Sequence, residues 1–407
     1  MTPVRILRLA TGGDGVGRLE DGRTVFVPRT APGELVELAG LRLHKRFARA
    51  RAGRVVEASP ARVPPRCPHY VRDDCGGCQL QHLESDAQRE ARRGFVGEAL
   101  RRLARRDTPD PPLVPAVEEF DYRSKITLAV SADGRRIGLR PYDRPDQVFE
   151  LEWCHITMPE LMRAWQALRT VRHLLPPRLE SVVLRRDREG GVHLMFRSAA
   201  AEPWTGAARL RAALLERATP ATIWWQGVDG APRAMAGADS PYPATVFEQV
   251  HPAMGDRVRA HAVEALGPVA GRHVWDLYAG IGETTVALAR GGASVESVES
   301  DQRAVAEAER RGPAARRHAA RVEHALAELR RPELVVTNPP RIGMDARVAE
   351  AFERLRPRRV VYVSCDPATL ARDLTRLPGY QLTDVRAFDL FPQTAHVETV
   401  AVLELAS

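Results

Sequence analysis

A chain of 407 residues is too long for one ordinary domain, so its length predicts two or three domains. Hydrophobic residues make up 44% of the chain, but neither a membrane span nor the apolar segment of a secretion signal is present, so we expect a cytoplasmic protein that does not contact membranes. The formal charge of +8 comes almost entirely from arginine, which favours a polyanionic partner because guanidinium groups bind phosphate well.

Residues 1–58 have the pattern of a small β-barrel. Glycines between Gly12 and Gly17 supply tight turns, and Asp21–Gly22 is typical of a hairpin. The stretch Leu41–Val56 predicts a long strand pair with basic side chains at Arg42, Lys45, Arg46, Arg49, Arg51 and Arg54. Such a basic barrel face is what an OB-type module offers to single-stranded nucleic acid. The alternative is a solvated charged face on any small barrel.

Four of the five cysteines predict a metal or cluster site. Cys67, Cys75 and Cys78 lie within twelve residues, and Cys154 follows about 75 residues later. The glycines between Cys75 and Cys78 let the backbone wrap so that both sulfurs reach one centre. Four thiolates fit an iron–sulfur cluster or a tetrahedral zinc ion, and spacing does not separate these two. A redox pair of Cys75 and Cys78 is a weaker rival, because it leaves Cys67 idle.

Residues 59–245 predict a central domain of mixed α+β structure. An amphipathic helix is expected over Leu83–Arg106, with Phe95, Val96, Leu100 and Leu103 on its apolar face and arginines, Arg92 among them, mostly opposite. Residues 107–118 look irregular, and strands with one helix near Pro159–Val171 follow. Core positions are predicted for Trp224, Trp225 and Phe247, because aromatic residues are more often buried than available for base stacking.

Residues 246–407 alternate between strand and helix, which predicts a doubly wound, Rossmann-like parallel sheet. Its strands are expected at Val274–Leu277, Ser294–Val298, Glu333–Thr337, Arg359–Val363 and Val397–Leu405. Most polar residues with chemical potential come directly after these strands. Since open α/β sheets bind ligands at the carboxyl ends of their strands, the sequence places the functional site there.

The first of these strands ends in a glycine turn suited to an adenosine cofactor. Asp276 precedes Tyr278, Gly280 and Gly282, and Glu299 closes the next strand about 20 residues later. The turn lets a ligand approach a helix N-terminus, and a carboxylate at that distance can accept both ribose hydroxyls. The cofactor could be NAD or S-adenosylmethionine. The motif Asn338-Pro-Pro-Arg341 favours the methyl donor.

Cys365 follows the buried strand Val360–Val363 at a point where Pro367 prevents the strand from continuing. A thiol at the end of a sheet strand can act as a nucleophile if its proton is removed or its pKa is lowered. A small apolar core residue is the alternative, since that describes most free cysteines.

Taken together, the motifs resemble the RNA uracil-C5 methyltransferase family, in its 23S ribosomal-RNA branch, over essentially the whole chain. They are Cys67…Cys75-Gly-Gly-Cys78-Gln-Leu-Gln-His, Phe247-x-Gln249, Asp276-Leu-Tyr278-Ala-Gly280-Ile-Gly282, Asn338-Pro-Pro-Arg341, Ser364-Cys365-Asp-Pro-x-Thr-Leu-Ala-Arg-Asp and Phe391-Pro-Gln-Thr-x-His396-Val-Glu398. The resemblance implies an N-terminal TRAM domain of the OB type, a central α+β domain and a class I methyltransferase domain. The barrel and the cysteine cluster favour ribosomal over transfer RNA.

The resemblance also implies a role for each motif. Cys365 would be the nucleophile that adds to C6 of a uridine, and Glu398 the base that removes the C5 proton. S-adenosylmethionine would contact Gln249, Tyr278, Gly280, Gly282, Glu299 and Asn338. A [4Fe–4S] cluster on Cys67, Cys75, Cys78 and Cys154 would act in structure or RNA binding, since methyl transfer needs no electron. The expected partner is RNA, and the expected state is a monomer.

Several positions depart from the family pattern. Asn338 stands where an aspartate is usual, His251 where asparagine is common, and Ala325 in the region where a polar residue normally meets adenine. The gap from Cys67 to Cys75 is also longer than usual. Two other functions therefore remain open: an amino-group N-methyltransferase, for which Asn-Pro-Pro is familiar, and an RNA-binding protein whose cofactor site has decayed.

Overall fold

The protein is described here from a computed structural model, which covers residues 3–200, 202, 204–228, 230–237, 246–312 and 315–406. Two compact units are present. The first contains residues 1–88, 118–244 and 392–395, and the second contains residues 89–117, 245–391 and 396–407. Across the described ranges, no helix combines the length and the apolar character needed to cross a membrane. The predicted domain limits at 58/59 and 245/246 stay predictions.

The predicted N-terminal barrel is a six-stranded sheet with the order β1-β5-β6-β4-β3-β2. Its strands are β1 (Val4–Arg5), β2 (Arg8–Leu9), β3 (Gly15–Arg18), β4 (Thr24–Val27), β5 (Leu35–Leu43) and β6 (Phe47–Glu57). The first predicted strand divides in two because Ile6 donates to the Glu34 carbonyl, whereas Leu7 donates to the Val16 carbonyl. Gly15 has no room for a side chain, since a Cβ there would overlap Thr30.

The segment after the barrel contains α1 (Pro68–Arg72), α2 (Ser85–Arg102) and β7 (Leu113–Val114). Helix α2 is shorter than the predicted Leu83–Arg106. The prediction placed Leu103 on the apolar face and Arg92 opposite, and both are wrong. Leu103 lies beyond the helix end and is 53% exposed, whereas Arg92 is 1% exposed and lies 3.0 Å from Asp389. Residues 107–118 are not wholly irregular, because β7 pairs with a strand of the second unit's sheet.

The central part of the chain forms a seven-stranded sheet with the order β10-β9-β8-β11-β12-β13-β14. Its elements are β8 (Lys125–Val130), β9 (Ile137–Leu139), β10 (Phe149–Glu150), α3 (Pro159–Thr170), a 3₁₀ helix (Arg172–Leu174), β11 (Leu179–Arg186), β12 (Val192–Ser198), α4 (Ala207–Leu215), β13 (Thr222–Gln226) and β14 (Arg233–Ala236). Trp224 and Trp225 are buried, as predicted. The helix predicted near Pro159–Val171 is confirmed by α3.

The second unit is the predicted Rossmann-like α/β structure, with an eight-stranded sheet of order β17-β16-β15-β18-β19-β21-β20-β7. Its remaining elements are α5 (Pro252–Ala265), β15 (His273–Leu277), α6 (Glu283–Arg290), β16 (Ser294–Glu299), α7 (Gln302–Arg311), β17 (Arg316–Ala319), α8 (Val322–Ala325), β18 (Leu334–Thr337), α9 (Ala346–Leu355), β19 (Arg359–Ser364), α10 (Pro367–Leu374), β20 (Tyr380–Phe388) and β21 (Glu398–Leu405). Strands β15 to β19 run parallel, and β21 is antiparallel to both of its neighbours.

Alternating residues of this sheet pack on two cores, one on each face. Trp275 and Tyr362 belong to one core, and Val274 and Val361 belong to the other. Helices cover both faces of the sheet. The central strands are therefore mostly apolar on both sides, as is usual for parallel strands between two helix layers. From β15 the sheet continues to β16 on one side and to β18 on the other, so the strand order reverses at β15. In open α/β sheets such a reversal leaves a crevice at the carboxyl ends of the strands.

Candidate active site

The turn after β15 brings backbone amides to the carboxyl end of the sheet. Tyr278 has a φ of +60°, and Gly280 and Gly282 have φ values of +55° and +78°. Three left-handed residues in five give a tight turn before α6, which begins directly after Gly282. A side chain at Gly282 would also meet Ala308 of α7. The turn therefore brings the N-terminus of α6 to the edge of the sheet where the sequence analysis predicts the cofactor.

Asp276 fixes this turn from below. Its side chain is 3% exposed, and the Thr285 hydroxyl donates to it over 2.5 Å. Burial raises the pKa of the Asp276 carboxyl to about 7, against the lowering effect of the bond from Thr285. Because the Asp276 side chain is buried and bonded to Thr285 of α6, its role is to hold the glycine turn in place, without contacting a ligand itself.

Glu299 lies at the end of β16, beside the glycine turn. One carboxylate oxygen accepts the Gly280 amide over 3.0 Å, and the other accepts the Asp301 amide over 2.8 Å. These two bonds hold the carboxylate at the mouth of the turn. The oxygen that accepts from Asp301 also accepts the Ser300 hydroxyl over 3.2 Å, and the other keeps a further lone pair that can accept a hydroxyl donor.

Asn338 and Gln249 reach the same edge from two further segments. Asn338 follows β18. Its backbone amide donates to the Leu277 carbonyl over 3.1 Å, and its side chain is exposed. Gln249 precedes α5 and is half-buried; a Cβ at Gly255 would overlap its side chain, so this glycine gives Gln249 its place against the helix. The second unit thus brings the six predicted cofactor residues to three adjacent strand ends and the approach to α5.

Cys365 and Glu398 are brought together by the pairing of β19 with β21. Ser364 and Thr399 are the last partners of this antiparallel ladder, and Cys365 and Glu398 lie directly next to that pair. The two groups are close enough that the Glu398 carboxylate raises the pKa of the Cys365 thiol. Thirty-two residues separate Cys365 and Glu398 in sequence, and the pairing of β19 with β21 brings them close in space.

The thiol is held at the head of a helix. Asp366 is the N-cap of α10 and accepts the Thr369 amide over 2.8 Å, and Pro367 starts the first turn. Cys365 is half-buried. Burial raises its pKa, the Glu398 carboxylate raises it further, and the Arg341 guanidinium lowers it. At neutral pH the resting group is therefore a thiol, and the nearby cation is the feature that favours the thiolate.

Glu398 has the environment of a proton acceptor. It is 1% exposed, and its Oε2 has no hydrogen-bond partner among the described residues. Burial raises the pKa of its carboxyl to about 8, and the Arg341 guanidinium opposes this rise. A buried carboxyl with an unused oxygen and a pKa near working pH is suited to general base chemistry.

The sequence missed two features of this site. Phe247 was predicted in the core and is 67% exposed, so that prediction is wrong. It lies two residues before Gln249 at the start of the second unit, where an exposed ring is available to stack on a base. Arg341 had no assigned role, although the Asn-Pro-Pro-Arg motif contains it, because no periodicity shows which strand end a loop side chain faces. Ala325 is a buried core residue of α8.

The four clustered cysteines lie in the first unit. Cys67, Cys75 and Cys78 are buried and Cys154 is half-buried. Burial raises the pKa of Cys75 to about 12 and raises that of Cys78 well above its usual value, and the charges of the neighbouring thiols act in the same direction. In the ranges the structure covers, no group of three or more ligands is arranged to hold a single metal ion. The thiols are close enough to influence one another without forming a compact one-ion site.

The barrel presents a basic and aromatic surface around the turn between β5 and β6. The rings of His44 and Phe47 stack at 4.4 Å, Phe26 meets Phe47 edge-on at 5.9 Å, and Arg49 lies over Phe26. All six basic residues predicted on this face are exposed, namely Arg42, Lys45, Arg46, Arg49, Arg51 and Arg54. Three of them pair with acids, and the other three, at the turn, make no ion pair with the described residues.

Comparison with known proteins identifies the family. Residues 315–406 match the family described as tRNA (Uracil-5-)-methyltransferase, and residues 2–52 match the TRAM domain. The chain is 33% identical to an uncharacterized RNA methyltransferase of Gloeobacter violaceus, over 98% of this chain and 96% of that protein. It is 34% identical to the 23S rRNA (uracil(1939)-C(5))-methyltransferase RlmD of Halomonas elongata, over 97% of this chain and 88% of that protein.

A solved structure of another uracil-C5 methyltransferase has a similar fold. The Pyrococcus abyssi tRNA (uracil-54, C5)-methyltransferase in complex with S-adenosyl-L-homocysteine superposes with a TM-score of 0.76 at 24% identity, covering 98% of this chain and 99% of that one. The present chain belongs to the RNA uracil-C5 methyltransferase family, whose methyl donor is S-adenosylmethionine. The predicted family, fold class and TRAM domain are confirmed.

Proposed function

We propose that this enzyme methylates C5 of a uridine in 23S ribosomal RNA, with Cys365 as nucleophile and Glu398 as base. The observation that carries the proposal is that the end of the β19–β21 ladder brings the thiol close to a buried carboxyl with an unused oxygen. An amino group needs no such pair, since it is nucleophilic already. The ribosomal target is supported by the named relative from Halomonas elongata and by the TRAM domain together with the cysteine cluster.

The chemistry begins with the weak nucleophilicity of C5. The Cys365 thiolate, favoured by Arg341, bonds to C6, and the C5=C6 electron pair moves into an enolate. S-adenosylmethionine, when bound, would supply the methyl group from its sulfonium; as the C5–CH3 bond forms, the S–CH3 bond breaks and S-adenosylhomocysteine is left. Glu398 then takes the C5 proton, the electrons of that C–H bond re-form the C5=C6 double bond, and the C6–S bond breaks to return the thiolate. Cys365 and Glu398 are both regenerated, Glu398 after its proton passes to water.

The cofactor residues have a consistent division of labour in this proposal. Glu299, fixed by two backbone amides, accepts the ribose hydroxyls. The backbone at Gly280 and Gly282 allows close approach of the cofactor, and Tyr278 flanks it. Asn338 and Gln249 line the reacting end. Because Asn338 offers a carbonyl acceptor without charge, it can orient a donor group but supplies no electrostatic attraction to the sulfonium.

The target is tested by mapping 5-methyluridine in 23S ribosomal RNA from a strain that lacks the gene. We expect one or more 5-methyluridines to disappear and to return when the wild-type gene is supplied, but not when the Cys365→Ala gene is supplied. Mass spectrometry of nuclease fragments locates the position. An unchanged ribosomal map, with loss of the mark in transfer RNA instead, overturns the ribosomal assignment and leaves the chemistry standing.

A [4Fe–4S] cluster on Cys67, Cys75, Cys78 and Cys154 is part of the same proposal. The four thiols act electrostatically on one another, so they are grouped together, and four thiolates fit either an iron–sulfur cluster or a zinc ion. The resemblance to the family is what favours the cluster. Cys67 and Cys78 pack with Tyr70 and Tyr122 in a small apolar group, which would keep water from bound iron. The cluster would stabilise this part of the chain and the surface around it.

Removal of one cluster ligand gives a distinct result. We expect wild-type protein purified without oxygen to be brown, to contain iron and sulfide, and to lose its visible absorption in the Cys78→Ala variant. Cys365→Ala is the matched control, because it removes a thiol outside the group and should keep full iron content. Stoichiometric zinc in wild-type protein, with no sulfide, would contradict the cluster and support a tetrahedral site.

The turn of the barrel gives a second measurable effect. Replacing Lys45 and Arg46 with glutamine should weaken binding to a ribosomal RNA fragment roughly 10-fold at moderate salt and reduce the salt dependence of binding by about two released counterions. Both side chains are exposed, so folding should not change. Arg54→Gln is the control, since Arg54 already pairs with Glu37. Equal affinities for the double variant and the control would show that RNA does not use this turn.

A further inference from the structure

Asp373 is a buried carboxylate that the reaction scheme does not use. It lies near the end of α10, its side chain is fully enclosed, and three kinds of donor converge on it. The Tyr362 hydroxyl donates over 2.8 Å, the Met344 backbone amide over 2.7 Å, and the guanidinium groups of Arg372 and Arg376 over 2.8 and 3.1 Å. A buried acid with this many partners fixes whatever it binds.

The partners of Asp373 include one segment of the loop after β18. Besides the Met344 amide that bonds Asp373, this segment offers two carbonyls to α10 and the residues just after it. Arg372 donates to the Ile342 carbonyl over 2.6 Å, and Arg376, two residues beyond the helix end, donates to the Met344 carbonyl over 3.1 Å. Residues 342–344 are thus held by their backbone, in a way that does not depend on the side chains of that loop.

Gly343 shows how close this contact is. Its φ is +80°, and a Cβ built on it would overlap both the Asp373 carboxylate and the Arg372 guanidinium. The carboxylate is held by its other bonds and cannot move aside. Only glycine therefore permits the loop to lie against α10 as it does, both for its backbone conformation and for the space available.

The two segments joined in this way carry the two halves of the proposed reaction. The loop that begins at Asn338 carries Arg341, and α10 begins two residues after Cys365. Methyl transfer requires the donor carbon and C5 to meet at roughly 3–3.5 Å, and a displacement near 1 Å can slow such a step by about 10²-fold. We propose that Asp373 is a positioning residue, which fixes the cofactor-side loop relative to the nucleophile so that methyl group and bound uracil are aligned.

This inference rests on the proposed function and predicts a selective defect. Addition of Cys365 to C6, uptake of a solvent proton at C5, removal of the original C5 hydrogen by Glu398 and loss of the thiolate need no methyl donor, and this exchange can be followed as release of tritium from C5 of labelled RNA. The methyl transfer step needs both segments in register. A variant that loosens only the loop should therefore keep much of the exchange and lose the transfer.

Asp373→Asn and Gly343→Ala test the inference from opposite sides of the contact. For each we expect single-turnover methylation to fall about 10²-fold. Exchange of the C5 hydrogen without donor should fall much less than methyl transfer does, because it loses only part of the help that Arg341 gives the thiolate. Affinities for S-adenosylmethionine and for RNA should stay within roughly threefold of wild type, because neither requires the register. Combining the two substitutions should add little to either alone, since both break one contact.

Two controls separate positioning from general damage. Tyr362→Phe removes one bond to Asp373 and leaves all the loop contacts, so it should methylate at close to the wild-type rate. Asp384→Asn changes an exposed carboxylate of the same sheet and should have no effect. If Asp373→Asn does not fold, Gly343→Ala decides the matter, because it keeps the carboxylate and its arginines.

Two results would overturn the inference, and a third would overturn the proposed function on which it rests. Equal loss of exchange and transfer in Gly343→Ala would mean that the contact supports the whole site, and wild-type rates in both variants would mean that it supports neither step. If wild-type enzyme releases no tritium and methylates no uridine, the proposed function fails, whatever the variants do.

Discussion

Cys365→Ala is expected to abolish uridine methylation while leaving the affinity for S-adenosylmethionine unchanged. The reason is that C5 becomes nucleophilic only after a thiolate has bonded to C6, and no other described thiol lies at this edge of the second unit. Methyl transfer to an RNA fragment, measured with labelled donor, should fall to background, and calorimetric titration should show normal donor binding. Cys365→Ser, which keeps the size of the side chain with a weaker nucleophile, should be almost as inactive.

A direct view of the bond comes from an RNA with 5-fluorouridine at the target. Fluorine cannot leave as a proton does, so wild-type enzyme should remain covalently joined to the RNA through residue 365, and Cys365→Ala should not. An alanine variant that still methylates RNA would overturn the scheme and favour transfer to an amino group, which requires no thiol.

Glu398→Gln is expected to trap the enzyme on its own product. The thiol can still add and C5 can still receive the methyl group, but the amide cannot accept the C5 proton, so the C6–S bond cannot break. Turnover should fall about 10²–10⁴-fold. A denaturing gel should show enzyme joined to ordinary methylated RNA, an adduct that wild-type enzyme does not accumulate. Thr399→Ser, a small change at the neighbouring strand position, is the control and should turn over normally.

The pH dependence follows from the same carboxyl. Its pKa is raised to about 8, so below that pH most of the resting enzyme carries a proton on Glu398 and cannot accept another. Product release should therefore accelerate as pH rises through about 8 and then level off. The Cys365 thiol, whose pKa burial also raises, changes in the same direction, because thiolate forms as pH rises. A turnover rate that falls between pH 6 and 8 would contradict the base role.

The sequence predicted the site where the chemistry depends on local motifs. Strand ends, the glycine turn and the nucleophile loop were placed correctly because apolar runs followed by glycine, proline or polar residues define them within a few positions. The proximity of Cys365 and Glu398 needed the register of β19 with β21, which no local pattern contains. The resemblance supplied both roles, and the ladder supplies the physical reason.

Some strands and side-chain environments could not be predicted either, because they too depend on contacts between distant parts of the chain. Strands β17 and β20 were missed because they carry polar and charged residues at the edge region of the sheet, and β20 contains a register shift that breaks its alternation. Arg92 was placed in solvent because a helix pattern shows which residues share a face and not what packs against it. The exposure of Phe247 and the bonds of Asp373 arise from tertiary contacts of single side chains, to which periodicity is blind.

The position of β21 has a consequence for how the enzyme is made. This strand is synthesised after β15 to β20, yet it inserts between β19 and β20 and carries Glu398, the proposed base. A growing chain that has already exposed Cys365 lacks both the carboxyl and the strand that completes the sheet. In the proposed scheme, the strand that completes the sheet beside the nucleophile is therefore also the strand that supplies the base.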